Sequence, residues 1–332
     1  MSSNNSPEIS VIMSVYNAEA FLEEAIQSIL DQTFKNFEFI IIDDASTDHS
    51  LEIISSFDDE RIVFIRNEKN LGLTKSLNKA ISYARGKYIA RMDADDISVL
   101  ERLEKQVGLM ESNPHIDICG TWYETFGIKE YIQKLPITHE EIKASLLFFS
   151  PIAHPSVLMK KSIFDTYSYP QEFLKAQDYA LWTLLIDKYT FENIPEPLLK
   201  YRMHIEQITE KNATEQTKFA QKASNVFLKK CNMQRYENVH YKIWGKESIL
   251  LDELEKHLQY LLVKNKEEHC FDEQILSGIL FEQWWMCMNT QSRYTFSLLK
   301  AFYNSDLYLP GRLGFKNHFK FIVKAFIGYK RY

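Results

Sequence analysis

Two aspartates separated by one residue, Asp93 and Asp95, are well placed in this sequence to hold a metal ion. In an extended backbone, residues i and i+2 point to the same side, so both carboxylates can face one ligand. Neighbouring carboxylates repel each other, and a hard divalent cation such as Mg²⁺ or Mn²⁺ removes that repulsion. Such an ion is typically shared with the phosphates of a substrate. The alternative is an acidic turn in which Asp96 or Ser98 caps the next helix.

A second acidic segment, Asp43-Asp44-Ala45-Ser46-Thr47-Asp48, follows another apolar stretch and is expected to lie beside the first. Its carboxylates and hydroxyls can accept hydrogen bonds from a base or a ribose. The alternative is that Thr47 or Asp48 caps the following helix. We expect both interpretations to be partly correct.

The elements that must position these residues are strands that alternate with helices. Apolar, β-branched segments predict strands at 8–15, 37–42, 61–66 and 87–92. The segments between them have helical spacing, and Gly86 is expected to end the third helix. This alternation predicts an α/β fold with a mixed, mostly parallel sheet flanked by helices. Such sheets bind ligands beyond the carboxyl ends of their strands, and those ends are polar here: Asn17, Asp43, Asp44, Asn67, Asp93 and Asp95.

The remainder of the chain is predicted to hold a few short strands and then helices alone. The strands are expected at 117–123, 157–159 and 198–202, with a helix at 178–187. Beyond about residue 211 we expect only helices, at 213–230, 247–263, 271–288 and 292–304.

Four motifs occur in a fixed order within the first third of the chain. They are Val-Ile-Met-Ser-Val-Tyr-Asn-Ala-Glu (11–19), Ile-Ile-Asp-Asp-Ala-Ser-Thr-Asp (41–48), Asn-Leu-Gly-Leu (70–73) and Ala-Arg-Met-Asp-Ala-Asp-Asp (90–96). Three later segments follow them, His154-Pro155-Ser156-Val157, Gln177-Asp178-Tyr179-Ala180-Leu181-Trp182 and Tyr201-Arg202-Met203-His204. Together they resemble glycosyltransferase family 2 over about residues 8–210. The resemblance implies a GT-A, Rossmann-like fold and an inverting enzyme that uses a nucleotide-sugar and Mn²⁺ or Mg²⁺.

The same resemblance implies roles for individual residues. Asp178 would be the general base for the acceptor hydroxyl, and Asp95 and His204 would lie at the metal, His204 alternatively at the diphosphate. Asp44 would contact a uracil-type base, Asp93 the ribose or the metal, and Lys75 or Arg91 would offset phosphate charge. The full implied donor-binding set is Tyr16, Asn17, Glu19, Asp44, Lys75, Arg91 and Asp93.

Some residues of these motifs have plainer interpretations or depart from the family pattern. Gln177 replaces the usual Glu, which leaves Asp178 as the only carboxylate of its motif. Asp178 could instead be a helix N-cap, and His204 a surface histidine at a strand end. His154 is either functional or a packing residue before Pro155.

Composition and charge restrict the function classes. The 332 residues are 45% hydrophobic and 25% charged, which excludes intrinsic disorder. Residues 1–210 hold 20 basic and 33 acidic residues, whereas residues 211–332 hold 19 and 12. The acidic part argues against nucleic acid as a partner. With no secretory signal, no apolar run of membrane-spanning length and no paired cysteine pattern, we expect a cytoplasmic protein.

The C-terminal segment after Asp306 is basic and aromatic, with no acidic residue. Lys316, Lys320 and Lys324 share one predicted helical face, beside Phe315, Phe319, Ile322, Val323 and Phe326. A basic amphipathic helix of this kind suits an anionic membrane surface. The alternative is a final helix that packs its aromatic side chains on the core.

We therefore expect a GT-A domain over 1–210, with a nucleotide-sugar half at 8–110 and an acceptor half at 111–210. Residues 211–332 would form a helical, basic region for peripheral attachment to the inner face of the plasma membrane. The expected reaction moves a hexose or N-acetylhexosamine from a UDP-sugar to a hydroxyl of a free or lipid-linked surface glycan, lipooligosaccharide or capsule, in a β-linkage. The alternatives are a haloacid-dehalogenase-like phosphatase and an inactive nucleotide-sugar-binding protein.

Overall fold

The computed structural model describes residues 6–204, 210–245, 249–289 and 294–329. The chain divides into two compact units. Residues up to Ile142 together with Ser150–Ala223 form the first unit, and Lys143–Phe149 with the residues from Ser224 onward form the second. The domain boundary that we expected between residues 210 and 211 stays a prediction.

The N-terminal half of the first unit is a set of parallel strands connected by helices. The strands pair in the order β3-β2-β1-β4 and have these bounds: β1 Ile9–Val15, β2 Phe37–Asp43, β3 Ile62–Arg66 and β4 Tyr88–Met92. The connecting helices are α1 Leu22–Leu30, α2 Ser50–Ser56 and α3 Leu73–Tyr83. Nearly every side chain of β1 and β2 is buried, as expected for parallel strands covered by helices on both faces. The predicted α/β fold with a mixed sheet is confirmed.

The second half of this unit adds strands of both directions to the same sheet. These strands are β5 Ile97–Ser98, β6 Ile118–Gly127, β7 Tyr131–Gln133, β8 Leu158–Lys160 and β9 Phe191–Met203. The sheet continues from β4 through β8, β6 and β9 to β5, and β7 pairs with β6. The helices of this part are α4 Arg102–Ser112, α5 His139–Ser145 and α6 Gln177–Leu185.

The strand β9 is longer than the sequence predicted, because a bulge accommodates its prolines. We expected a strand only at 198–202. Pro195 and Pro197 lack the N–H that a regular ladder requires. The pairing of β6 with β9 shifts register between Thr121 and Tyr123, opposite these prolines. The irregularity lets the strand continue past them, and its last residues carry Arg202 toward the acidic segment.

Gly86 has a different role from the one that the sequence predicted. The helix α3 ends at Tyr83, before this glycine. A Cβ at Gly86 would lie 2.5 Å from the backbone nitrogen of Ser10 and 2.9 Å from its Oγ. The glycine is therefore needed for a close approach to β1, where its N–H donates to the Ser10 hydroxyl at 2.8 Å.

The described residues beyond β9 are helical, as predicted. The helices are α7 Glu210–Lys230, α8 Glu237–Gly245, α9 Leu251–Glu268, α10 Glu273–Asn289, α11 Phe296–Asn304 and α12 Phe315–Phe326. The helix α8 was not predicted, and residues 247–248 and 292–293 of two predicted helices lie outside the described residues. Within the part of the chain that the structure describes, no helix is both long and apolar enough to span a membrane.

The second unit contains a buried pair of histidines. His240 Nδ1 lies 3.0 Å from His257 Nε2, and His240 Nε2 lies 2.9 Å from Ser224 Oγ. Burial lowers the pKa of His240 from 6.5 to about 4 and that of His257 well below its usual range, with the adjacent His240 adding to the second shift. Both rings are therefore neutral in the folded protein at pH 7.

This histidine pair should make the folding stability of the second unit depend on pH. Between about pH 6.5 and pH 4 the unfolded chain binds protons that the folded chain does not, so stability falls as the pH decreases through this window. A shift of this size corresponds to roughly 3 kcal/mol. Thermal unfolding of the double variant His240→Gln/His257→Gln should depend less on pH than that of the native chain. His115→Gln, at an exposed histidine, is the control, and equal slopes would contradict the assignment.

Candidate active site

The loops that follow β1 and β2 are tied to each other by side chain to backbone hydrogen bonds. Asn17, at a φ of 49°, accepts from the N–H of Thr47 at 2.8 Å, and its own N–H donates to Ser46 Oγ at 3.1 Å. The N–H of Glu19 donates to Asp48 Oδ2 at 3.0 Å. Asn17 therefore serves here to join two strand ends, a position where asparagine tolerates a left-handed backbone.

Asp44, expected at the base of the donor, is buried and holds the next motif in place. Its Oδ1 accepts from Asn67 Nδ2 at 2.7 Å and from the N–H of Leu71 at 2.8 Å. Its Oδ2 accepts from the N–H of Gly72 at 2.8 Å. A carboxylate offers about four acceptor positions, so these three hydrogen bonds leave one acceptor position of Oδ2 unused among the described residues.

Three carboxylates converge just beyond the carboxyl end of β4. Oxygens of Asp93, Asp95 and Asp96 all lie within 4.8 Å of one another. Asp93 forms a two-pronged ion pair with Arg91, which is almost fully buried. Asp95 Oδ2 lies 3.3 Å from Nε2 of His204, the residue that follows β9, so a ring nitrogen lies next to the acidic cluster.

Asp96 is the most buried member of the cluster and is no helix cap. The first residue of α4 is Arg102, and Asp96 Oδ1 instead accepts from the N–H of Arg202 at 2.9 Å. Ser98 lies in β5 and its hydroxyl accepts from Gln32 Nε2, so the predicted cap at either position is wrong. Asp96 Oδ2 has no hydrogen-bond partner among the residues that the structure describes. A buried carboxylate oxygen without a partner fits an absent cation or water.

The electrostatics of the cluster also fit a divalent cation. Burial raises the pKa of Asp93 to about 6, with Asp95 and Asp178 adding to the rise and Arg91 opposing it. Burial, then Asp93 and Asp95, raise the pKa of Asp96 well above its usual range. Converging oxygen donors whose charges disfavour each other are the donor set that Mg²⁺ or Mn²⁺ prefers.

Arg102 supplies a buried positive charge beneath the cluster. Its Nη1 donates to the carbonyl oxygen of Pro155 at 2.6 Å and to that of Arg91 at 3.3 Å. Burial lowers its pKa to about 9, and the attraction of Asp96 opposes that shift. Sequence reasoning missed this residue, because nothing in the pattern Glu-Arg-Leu-Glu distinguishes it from a surface helix residue.

Asp178 lies in the same site, on a separate element. It is the second residue of α6, and Ala176 occupies the cap position, so the interpretation of Asp178 as an N-cap is wrong. Burial raises the pKa of Asp178, while the N–H of Tyr179 and the charge of Arg91 lower it. Its charge in turn adds to the rise in the pKa of Asp93, as expected for a carboxylate near the acidic cluster.

The chain is similar to proteins of one known family. A family model described as glycosyl transferase family 2 matches residues 10–167. A Haemophilus influenzae protein named as an uncharacterized glycosyltransferase is 32% identical over 341 residues and covers 97% of each chain. The chain belongs to glycosyltransferase family 2. Because this family consists of transferases, the phosphatase alternative for Asp93–Asp96 is wrong.

This family 2 glycosyltransferase is also similar to a named bacterial enzyme and shares its fold with a solved structure. The Escherichia coli protein WfgD is 32% identical over 178 residues, which are 54% of this chain and 69% of WfgD. The crystal structure of S. aureus TarS in complex with UDP has a TM-score of 0.57 at 15% identity and covers 85% of this chain and 88% of that one. The likeness to TarS shows the fold, and the expected GT-A type architecture is confirmed.

In this glycosyltransferase, the expected donor-binding residues occupy different environments. Tyr16 is 50% exposed in the loop after β1, and Lys75 is exposed in the first turn of α3. Glu19 accepts from both the N–H and the ring Nδ1 of His49. Arg91 is buried against Asp93, so its charge is directed at that carboxylate. Their roles toward a donor stay predictions.

His154 is a packing residue in this site. Its Nε2 lies 2.9 Å from Tyr169 Oη. The centroid of its ring lies 6.1 Å from that of Trp182, in an edge-to-face arrangement. Burial, together with the charge of Arg91, holds its pKa well below its usual range, so it is neutral. Gln177, which precedes Asp178 in α6, is also buried. Nothing in the structure explains why it replaces Glu.

Arg202 is a positioning residue that the sequence prediction did not single out. Its guanidinium lies 4.4 Å above the ring of Phe21 and donates through Nε to the Asp95 carbonyl oxygen at 2.8 Å. The Phe21 ring in turn lies 5.4 Å from that of His204. Because Arg202 stands within the motif Tyr201–His204, its place in a family segment was the signal that could have identified it.

An open groove of about 580 Å³ lies between α1 and the segment around β5. Four carboxylates are among its lining residues: Glu19, Glu23, Glu24 and Asp31. This charge would repel a diphosphate that is not accompanied by a cation.

Proposed function

We propose that this protein transfers a hexose or N-acetylhexosamine from a UDP-sugar to a hydroxyl of a bacterial surface glycan, with inversion to a β-linkage. The observation that carries the proposal is the convergence of three aspartates beyond β4, with Asp178 near enough to raise the pKa of Asp93. The glycan class that we propose is lipooligosaccharide or capsule. Relatives named for amylovoran biosynthesis and for transfer to a diphosphoundecaprenol-linked sugar support a polysaccharide substrate.

The choice of a UDP-sugar as donor is supported by the printed descriptions of two similar proteins. The name of WfgD specifies UDP-Glc as donor and a β-1,3 linkage, and TarS was crystallised with UDP-GlcNAc. The acceptor in the name of WfgD is a lipid-linked GlcNAc diphosphate. A comparable acceptor here would place the enzyme in peripheral contact with the inner face of the plasma membrane.

The residues that would hold a Mg²⁺ or Mn²⁺ ion are Asp93, Asp95, Asp96 and His204. Their oxygen atoms converge, and one buried oxygen of Asp96 lacks a partner within the described ranges. A divalent cation bound there would stabilise the charge that develops on the departing diphosphate. Arg102, buried below the cluster, balances part of its negative charge.

The chain's own residues would then handle binding, orientation and the proton. Asp44 anchors the Leu71–Gly72 backbone and keeps one acceptor position for the base of the donor. Asp178 accepts the proton of the acceptor hydroxyl as that oxygen attacks the anomeric carbon. Attack from the face opposite the leaving diphosphate inverts the configuration, so an α-linked donor yields a β-linked product.

A nucleotide panel tests this proposal directly. The melting temperature should rise by a few degrees with UDP and with one UDP-sugar in Mn²⁺, and much less without metal, because only the folded chain binds the ligand. GDP, dTDP and their sugars are the controls for base specificity. No response to any UDP compound would contradict the donor. Binding without release of UDP from the UDP-sugar would instead identify an inactive nucleotide-sugar-binding protein.

A further inference from the structure

The last described helix, α12, has one face packed into the second unit. Phe321 and Ala325 are buried. The ring centroid of Phe321 lies 5.1 Å from that of Trp285 and 5.2 Å from that of Phe302. Lys324 also contacts this side, since its ammonium lies 4.7 Å above the ring of Tyr294. Lys316, Lys320 and Lys324 share one face of the helix, as predicted, and Lys324 lies at the edge of that face next to the packed side. The inward face fixes how α12 is oriented.

The opposite face of α12 exposes large apolar side chains. Phe319 is 59% exposed, Phe326 66% and Ile327, just after the helix, 68%. With Val323 they recur at i, i+4, i+7 and i+8, which is one stripe of an α-helix. Phe296 of α11, also 59% exposed, contacts Phe326 with ring centroids 4.8 Å apart. These five residues are called the apolar patch below.

Basic residues border the apolar patch. Lys316 and Lys320 are exposed and project from α12 on the flank of the stripe. The sequence contains no acidic residue after Asp306. Of the other basic residues in this segment, Arg312 pairs with Glu282, and Lys330 and Arg331 lie outside the described residues. The outward face therefore combines exposed aromatic rings with the positive charges of Lys316 and Lys320.

We propose that the outward face of α12, made of the apolar patch with Lys316 and Lys320, binds an anionic lipid bilayer surface. The aromatic and aliphatic side chains enter the boundary between headgroups and acyl chains, and the two lysines contact lipid phosphates. A second copy of the chain fits this face less well, because a two-fold contact would oppose each basic flank with another. This inference rests on the exposure and charge of α12, independently of the proposed donor and acceptor.

Vesicle co-sedimentation of the full chain tests the inference. The chain should sediment with vesicles of phosphatidylcholine and phosphatidylglycerol but not with phosphatidylcholine alone, and added salt should release it. Phe319→Ser/Phe326→Ser and Lys316→Glu/Lys320→Glu should each reduce partitioning by at least about tenfold. The matched controls are Leu250→Ser, at an exposed leucine, and Lys300→Glu, at an exposed lysine of α11. Both controls should bind like the native chain.

Three results would overturn the inference. The first is a native chain that does not sediment with anionic vesicles, and the second is α12 variants that still do. The third is a native dimer in size-exclusion chromatography that Phe319→Ser/Phe326→Ser converts to a monomer, which would make this face a contact between copies. The UDP-induced rise in melting temperature should be unchanged in every α12 variant. A failure of membrane binding is thereby separated from a failure of the proposed glycosyl transfer.

Discussion

Asp178→Asn should lower the turnover number by about 10²- to 10⁴-fold, the range that a general base contributes. The amide keeps the size and the hydrogen-bonding geometry of the side chain but cannot take the proton of the acceptor hydroxyl. This loss corresponds to about 3 to 5 kcal/mol of transition-state stabilisation. Release of UDP from the preferred UDP-sugar measures it, with GlcNAc-diphosphoundecaprenol as acceptor, the acceptor in the name of WfgD.

Donor binding distinguishes a base from a donor ligand at Asp178. Because the base acts in the transition state, the UDP-induced rise in melting temperature should be nearly unchanged in Asp178→Asn. Asp165→Asn, at an exposed aspartate before α6, is the matched control and should keep full turnover. If Asp178→Asn loses donor binding instead, Asp178 contacts the donor and the base lies elsewhere.

Asp95→Ala should weaken metal-dependent UDP binding by more than about 100-fold, beyond the loss usual for residues that only support a metal ligand. Asp95 is the cluster member that also meets His204, at 3.3 Å. Removing Asp95 takes away an oxygen donor and also the contact that links His204 to the cluster. Calorimetric titration of UDP with and without Mn²⁺ measures the effect.

The stability of the ligand-free variant shows whether the loss is specific. Asp95 raises the pKa values of both Asp93 and Asp96, so removing its charge relieves repulsion in the folded protein. The melting temperature of Asp95→Ala without ligands should therefore equal or exceed that of the native chain. Asp31→Ala, at an exposed aspartate just after α1, is the control. Metal-dependent UDP binding that survives in Asp95→Ala would place the cation away from this cluster.

Local sequence patterns predicted the strands and helices well where the apolar residues of a segment are also the residues that it buries. The strands β1 and β2 are apolar on both faces, and the helix α1 repeats its apolar residues at helical spacing. The prediction failed where distant residues decide local structure. The prolines of β9 end a strand by local rules, but pairing with β6 through a bulge continues it. Gly86 resembles a helix terminator, but it is required by the close approach of Ser10.

The sequence by itself determined the alternation of strands and helices, the family, and the acidic strand end at Asp93–Asp95, because these depend on spacing and residue type. Only the tertiary structure decided which groups share a charge environment. Arg102, Arg202 and Asp178 come from separate elements, and their effect on the cluster depends on burial and on distances across the fold. In the same way, the sequence placed three lysines on one face of the last helix. Packing decided that Lys324 contacts Tyr294, whereas Lys316 and Lys320 stay exposed, because the buried ring of Phe321 sets the rotation of α12.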